Sequence, residues 1–170
     1  YLDASELTAT ITSATGGNFE SLVVGNASAT AKVTDTTNEV KVNLTASTVN
    51  ENGSDTSYVF TATLEKPSQG KTTIVTDKGT IEILDGQTTG TLTITSNQTE
   101  DVYLDASELT ATITSATGGN FENLVVGNAS ATAKVTDTID TVTVNLTAST
   151  VNEDASDTSY VFTATKSKKS

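Results

Sequence analysis

The chain sets 21 carboxylates against nine basic side chains, all lysine, for a net charge of −12 over 170 residues. The acids gather in a few loops. Glu51 lies in "NENGSD" (50–55), Glu100, Asp101 and Asp105 lie in "NQTEDVYLDASE" (97–108), and Asp137 and Asp140 bracket "DTID" (137–140). Carboxylates crowded within a few ångströms repel one another, and a hard cation taking six to eight oxygens at about 2.3–2.6 Å relieves that repulsion. Calcium fits flexible loops of Asp, Glu, Asn and backbone carbonyls. Magnesium fits less well, because it demands octahedral geometry and keeps its waters. The candidate ligands are Glu51, Glu100, Asp101, Asp105, Asp137 and Asp140, with Asp3, Asp35 and Glu153, which repeat Asp105, Asp137 and Glu51 102 residues away. "NENGSD" is not an EF-hand loop, since it lacks the glutamate at position 12 and any flanking helices.

Other chemistry is thin. Cys, His, Met and Trp are absent, which removes Ser-His-Asp triads, Cys/His zinc sites and haem or iron–sulfur ligation. A polyanion of this kind is expected to bind neither nucleic acid nor anionic membrane. No apolar run approaches the ~18–20 residues of a membrane helix, so no membrane insertion is expected. Six Asn-x-Ser/Thr sequons arise readily in so Thr-rich a chain, and Asn43 and Asn145 fall inside expected strands, so glycosylation is not expected.

The elements that must position the acids are set by an internal repeat. "YLDASELTATITSATGGNFE" occupies 1–20 and returns unchanged at 103–122. Residues 1–63 align with 103–165 with seven mismatches, four of them between Thr37 and Lys41, which suggests a junction there. The expected organisation is the last two strands of one repeat (1–38), one complete repeat (39–140) and the first two strands of a third (141–170). Such a chain reads as a cut from a tandem array. Its tail, "KSKKS" (166–170), departs from the matching "LEKPS" (64–68).

Within the complete repeat the apolar residues alternate with Thr, Ser and Lys at period two, as half-buried strands do. Seven strands are expected, over 40–48, 57–64, 72–76, 79–84, 89–96, 108–116 and 129–136, with Asp85-Gly86 and Gly118-Gly119-Asn120 as turns. That count makes an all-β fold, a seven-stranded antiparallel immunoglobulin-like β-sandwich repeating every 102 residues, without the disulfide of antibody domains. If successive strands reverse, the loops at 50–55 and 97–108, the turn at Asp77 and the 137–140 linker share one end. That end is anionic.

"TVNEDASDTSYVFTAT", "DGQTTGTLTI" and "EDVYLDASELTATITSATGGNFENLVVGNASATAKVTDTID" together resemble the extender repeats of giant type I-secreted RTX adhesins of Gram-negative bacteria, among them the repetitive region of an ice-binding adhesin. The placing of "TVNE", "ED" and "VTD" is also similar to Calx-β and cadherin-like calcium modules. The resemblance covers residues 1–165. It implies an extracellular, cell-surface spacer, stiffened by Ca²⁺ at each repeat junction, that holds a distal adhesive domain away from the cell. The GGxGxD nonapeptides of RTX proteins are missing from this stretch. The alternative is a module that itself binds carbohydrate or protein, but Tyr58, Phe60, Tyr160 and Phe162 read as core and Phe19 and Phe121 as plugs. An enzyme is not expected: glycoside hydrolysis, for one, needs a carboxylate pair in an open cleft, and the next repeat would close it. The expected partners are neighbouring repeats and, through the half-repeats, a second copy joined head to tail.

Overall fold

The computed structural model describes Tyr1 and residues 3–168; of the divergent tail, Lys169 and Ser170 lie outside the described residues. Among the described residues every element is a strand: β1 (Ser5–Thr10), β2 (Ser28–Val33), β3 (Glu39–Ala46), β4 (Thr48–Asn50), β5 (Tyr58–Leu64), β6 (Thr72–Thr76), β7 (Gly79–Ile83), β8 (Thr89–Ile94), β9 (Ser107–Gly118), β10 (Asn123–Val126), β11 (Ser130–Thr136), β12 (Val144–Ala148) and β13 (Phe162–Lys166). A four-stranded sheet runs β10-β3-β5-β8 and a five-stranded sheet runs β4-β11-β9-β6-β7, while β1-β2 and β12-β13 are two-stranded sheets of their own. The sheets form a sandwich-like all-β arrangement. By its contacts the chain divides into two compact units, one of Tyr1–Leu44, Thr61–Thr91 and Thr112–Ala129, the other of Thr45–Phe60, Leu92–Ala111 and Ser130–Ser170.

Alternation decides what is buried. On β3 it buries Val40, Val42 and Leu44, on β5 Tyr58, Phe60, Ala62 and Leu64, and on β6 and β7 Ile74, Ile81 and Ile83. Ala111, Ile113, Ala133 and Val135 supply the share of β9 and β11. The intervening Thr and Lys face out, as period two requires. Gly118, Gly119 and Asn120 all have positive φ (92°, 74° and 53°), the left-handed conformation that glycine and asparagine adopt most easily, and they end β9 where the sequence marks a turn.

Two features depart from seven simple antiparallel strands. The first expected strand is split at Ser47, whose amide donates to the Val59 carbonyl (2.9 Å) and whose Oγ accepts from the Val59 amide (3.0 Å), while its carbonyl accepts from Lys134 (3.0 Å). One residue thus bonds to β5 with its amide and hydroxyl and to β11 with its carbonyl. The chain passes there from the four-stranded to the five-stranded sheet, and β4 lies parallel to β11 with Val49 opposite Val135. The second is β10, which lies parallel to β3 with Leu124 opposite Val40.

A register shift between Val75 and Thr76 marks a bulge in the β6–β9 ladder, and Thr114 Oγ1 there donates to the Val75 carbonyl (3.1 Å). Beyond the shift, Asp77 ties the β6–β7 turn to β9: its amide donates to the Thr112 carbonyl (3.0 Å), and its Oδ1 accepts from the Thr112 amide (2.8 Å). That backbone bond chiefly, with the Lys78 ammonium 3.3 Å away, holds the Asp77 carboxyl below its ordinary value.

Identical letters meet different fates in the complete repeat and in the terminal hairpins. Phe60 is 0% exposed, whereas Phe162, its counterpart in β13, is 66% exposed. Phe60→Ala should therefore cost about 3–5 kcal/mol. Phe162→Ala, in dilute solution, should stay within about 0.5 kcal/mol. Denaturant titration measures both. For Asp77 the lowered folded value means that its stabilisation is present above pH 3.8 and is lost as pH falls through the folded value. Acid titration followed by circular dichroism should show Asp77→Asn with a shallower loss of stability below pH 3.8 than the native chain.

Candidate metal centre

The pairing of β4 with β11 builds the site. One residue beyond β4, the Glu51 amide donates to the Thr136 carbonyl (3.0 Å), so the parallel ladder continues into the loop and directs the side chain inward. Glu51 is 3% exposed. Its Oε1 accepts from the Thr138 amide (2.8 Å), just after β11. Thr138 Oγ1 donates to Asn50 Oδ1 (2.5 Å), and Thr136 Oγ1 donates to the Val49 carbonyl (3.2 Å), pinning the two loop strands together.

Asp137 enters from this same segment, and Asp105 enters from the turn before β9. Carboxylate oxygens of Glu51, Asp105 and Asp137 lie within 4.8 Å of one another. Asp105 is steadied by the Gln98 carboxamide, assigned in the orientation in which its nitrogen, 3.0 Å from both the Asp105 carbonyl and Oδ2, donates to them. Tyr58 closes the neighbourhood with a hydrogen bond from its hydroxyl to Ser107 Oγ (2.7 Å).

Glu51 Oε2, Asp105 Oδ1 and Asp137 Oδ1 are the buried side-chain polar atoms left without a partner among the described residues. Elsewhere the buried polar side chains are satisfied. Ser68 and Thr72 bond to each other (2.6 Å), and Thr76 Oγ1 donates to the Gly79 carbonyl (2.7 Å). Unpaired buried acceptors are costly, and three of like charge on one spot more so. Glu51 registers the crowding. The Thr138 amide, the largest single influence, draws its pKa down, but burial together with Asp137 and Asp105 outweighs that bond and raises it above the ordinary glutamate value. A divalent cation among the three would supply the missing positive charge. These three carboxylates could hold a metal ion.

The other candidates are placed differently. Asp101 Oδ1 accepts from the Tyr103 amide two residues on (2.6 Å), and Glu100 is exposed. Asp140 pairs with Lys168 (2.5 Å). Asp35 Oδ1 accepts from the Thr36 amide (3.1 Å), and Asp3 and Glu153 are exposed. Away from the three, Asp85 Oδ1 accepts from the Gly70 amide (2.7 Å) and Asp77 serves Thr112. Gln98 and Thr138 stand out in the structure and not in the sequence, where nothing distinguishes them from the surrounding polar loop.

An all-β repeat with a convergent acidic site at the end of its last strand is the class of protein in hand. The family model of the LapA domain matches residues 1–36 and 38–138, and the chain belongs to that family, an adhesin-related bacterial one. No curated protein matches the chain.

Glu51→Gln, Asp105→Asn and Asp137→Asn should each weaken divalent-cation binding by about tenfold or more, because affinity follows the ligand charge count. Asp101→Asn should change it less than about threefold, since Asp101 stands outside the three clustered carboxylates. Calorimetric titration of the four variants ranks them.

Proposed function

We propose that the chain is a spacer module of a Gram-negative cell-surface adhesin. Calcium held by Glu51, Asp105 and Asp137 stiffens its junction with the next repeat. The module acts mechanically, projecting a distal adhesive domain, and performs no catalysis. The carrying observation is the set of three orphaned carboxylate oxygens, each from a different segment, at the exit of the last strand of the repeat. An ion there joins the loop after β4, the turn before β9 and the segment leading out of β11.

Calcium suits the donor set better than magnesium or zinc: the available ligands are carboxylates, carboxamides and backbone carbonyls, and the chain has no His or Cys. Family membership and the 102-residue repetition support the spacer reading. The two matched stretches meet at Thr37, beside the proposed junction between a partial repeat (1–38) and the complete one (39–140). A second partial repeat (141–170) follows.

A tyrosine supports the joint. The Tyr1 ring stacks on Phe121 (centroids 5.8 Å, 22°), and its hydroxyl donates to the Pro67 carbonyl (2.6 Å). Glu122 accepts from the Asn38 amide. On the proposed boundaries Tyr1 belongs to one repeat and Phe121 to the next.

Thermal unfolding in millimolar calcium, in magnesium and in chelator tests the proposal. At calcium about tenfold above Kd the gain is about 1.4 kcal/mol per site, or roughly 5–10 °C for a repeat of this size. Magnesium should give much less. Glu51→Gln should abolish the calcium gain, and in chelator it should melt no lower than the native chain, because it relieves like-charge repulsion. An unchanged melting temperature after chelation would end the calcium reading.

A further inference from the structure

The loop that carries Glu51 reads Asn50-Glu51-Asn52-Gly53, and Asn52 is the one asparagine of the chain with glycine after it. Asparagine is a thermally labile residue. The lability is greatest before glycine, whose bare backbone leaves its nitrogen free to approach the preceding carboxamide. Asn52, Gly53 and Ser54 are all exposed, so water reaches them.

The structure also shows what holds that chemistry back. The Gly53 amide donates to the Asn50 carbonyl (2.9 Å), closing a four-residue turn with Glu51 in its second place. While that bond stands, the Gly53 N–H is engaged, and its nitrogen turns onto the Asn52 carboxamide only if the turn opens. Glu51 anchors the turn through its amide on the Thr136 carbonyl (3.0 Å) and its Oε1 on the Thr138 amide (2.8 Å). Its other carboxylate oxygen is buried without a partner, in the cluster with Asp105 and Asp137. Repulsion there works against the turn, and an ion there would hold Glu51 and, through it, the turn. The loop at 152–155 keeps the same turn with other letters. Its Ala155 amide donates to the Asn152 carbonyl (3.1 Å), and Asp154 and Ala155 stand in the places of Asn52 and Gly53.

We propose that Asn52 is a site of spontaneous deamidation, guarded by the calcium ion that Glu51 helps to hold. The Gly53 nitrogen gives up its proton to solvent and attacks the Asn52 Cγ. A C–N bond forms to close a succinimide ring, and the Cγ–Nδ2 bond breaks, Nδ2 leaving with a proton as ammonia. Water then opens the ring at either of its carbonyls. One opening gives aspartate, the letter at position 154. The other gives isoaspartate, in which the main chain runs through the former side chain and gains a methylene between Glu51 and Gly53. That displaces the Gly53 amide from the Asn50 carbonyl and Glu51 from its neighbours. A repeat that stands without calcium therefore loses its capacity for calcium as isoaspartate accumulates. The inference rests on reading Glu51, Asp105 and Asp137 as a calcium site.

Peptide mapping by mass spectrometry, on the native chain kept in warm, mildly alkaline buffer with calcium, magnesium or chelator, reads the conversion. Calorimetry on the same samples reads calcium binding. In chelator Asn52 should convert while the asparagines that precede larger residues stay intact. Because opening the turn releases the ion, calcium about tenfold above Kd should lower the open fraction, and with it the rate, about tenfold. Magnesium should protect much less. Glu51→Gln should convert equally fast with calcium and with chelator. Gly53→Ala should stay intact in chelator and keep the native calcium affinity, as the Ala155 turn implies. An Asn52 that survives in chelator for as long as the urea-unfolded chain takes to convert overturns the modification site. Equal rates with calcium and with chelator, in a native chain that binds calcium, overturn the guard and leave the Glu51 site standing. A native chain that binds no calcium ends the reading on which the guard rests, and the guard with it.

Discussion

Three carboxylates in a half-buried pocket repel one another unless a proton or a cation relieves them. Glu51, Asp105 and Asp137 stand in that relation, and the backbone around them is built to hold it: the β4–β11 ladder carries Glu51 inward, and the Thr138 amide fixes one of its oxygens. The Thr138 bond favours the ionised form and the two neighbours disfavour it, a conflict that a cation among the three would relieve. Everything upstream is ordinary hydrophobic packing of a β fold.

Much of this was legible in the sequence, because two signals are physical and local. Period-two alternation places Val40, Val42, Leu44, Phe60 and Ile81 on buried faces whatever their partners are. Strand parity gathers the acids of two loops and a linker at one end, and Glu51, Asp105 and Asp137 do lie together. What stayed hidden depends on tertiary hydrogen bonds. Alternation runs on through Ser47, so the change of sheet shows only in the partners of that residue. The β10 segment "NLVV" has three consecutive apolar residues and no alternation, and its pairing with β3 comes from the other end of the repeat. Asp101 and Asp140 look as suited to a metal as Asp105 does, yet one closes a local turn on Tyr103 and the other meets Lys168. Composition cannot make that distinction.

The aromatic residues tell a similar story. Tyr58 is core, as its place in an alternating strand requires, whereas Phe121 is half-buried and owes its cover to Tyr1, 120 residues away. Phe121, which reads as a plug in the sequence, serves instead as a seat for the Tyr1 ring.

The parallel pairing of β4 with β11 has a mechanical meaning. A pull applied to the two ends of residues 39–140 would enter ahead of β4 and leave beyond β11. Two parallel strands pulled from the start of one and the end of the other slide lengthwise, so all the bonds between them are loaded at once and none can open ahead of the rest. An antiparallel hairpin pulled at its open ends peels one bond at a time. The change of sheet at Ser47, a small irregularity in a β-sandwich, thereby sets beside the carboxylates a parallel pair that a lengthwise pull would load in shear.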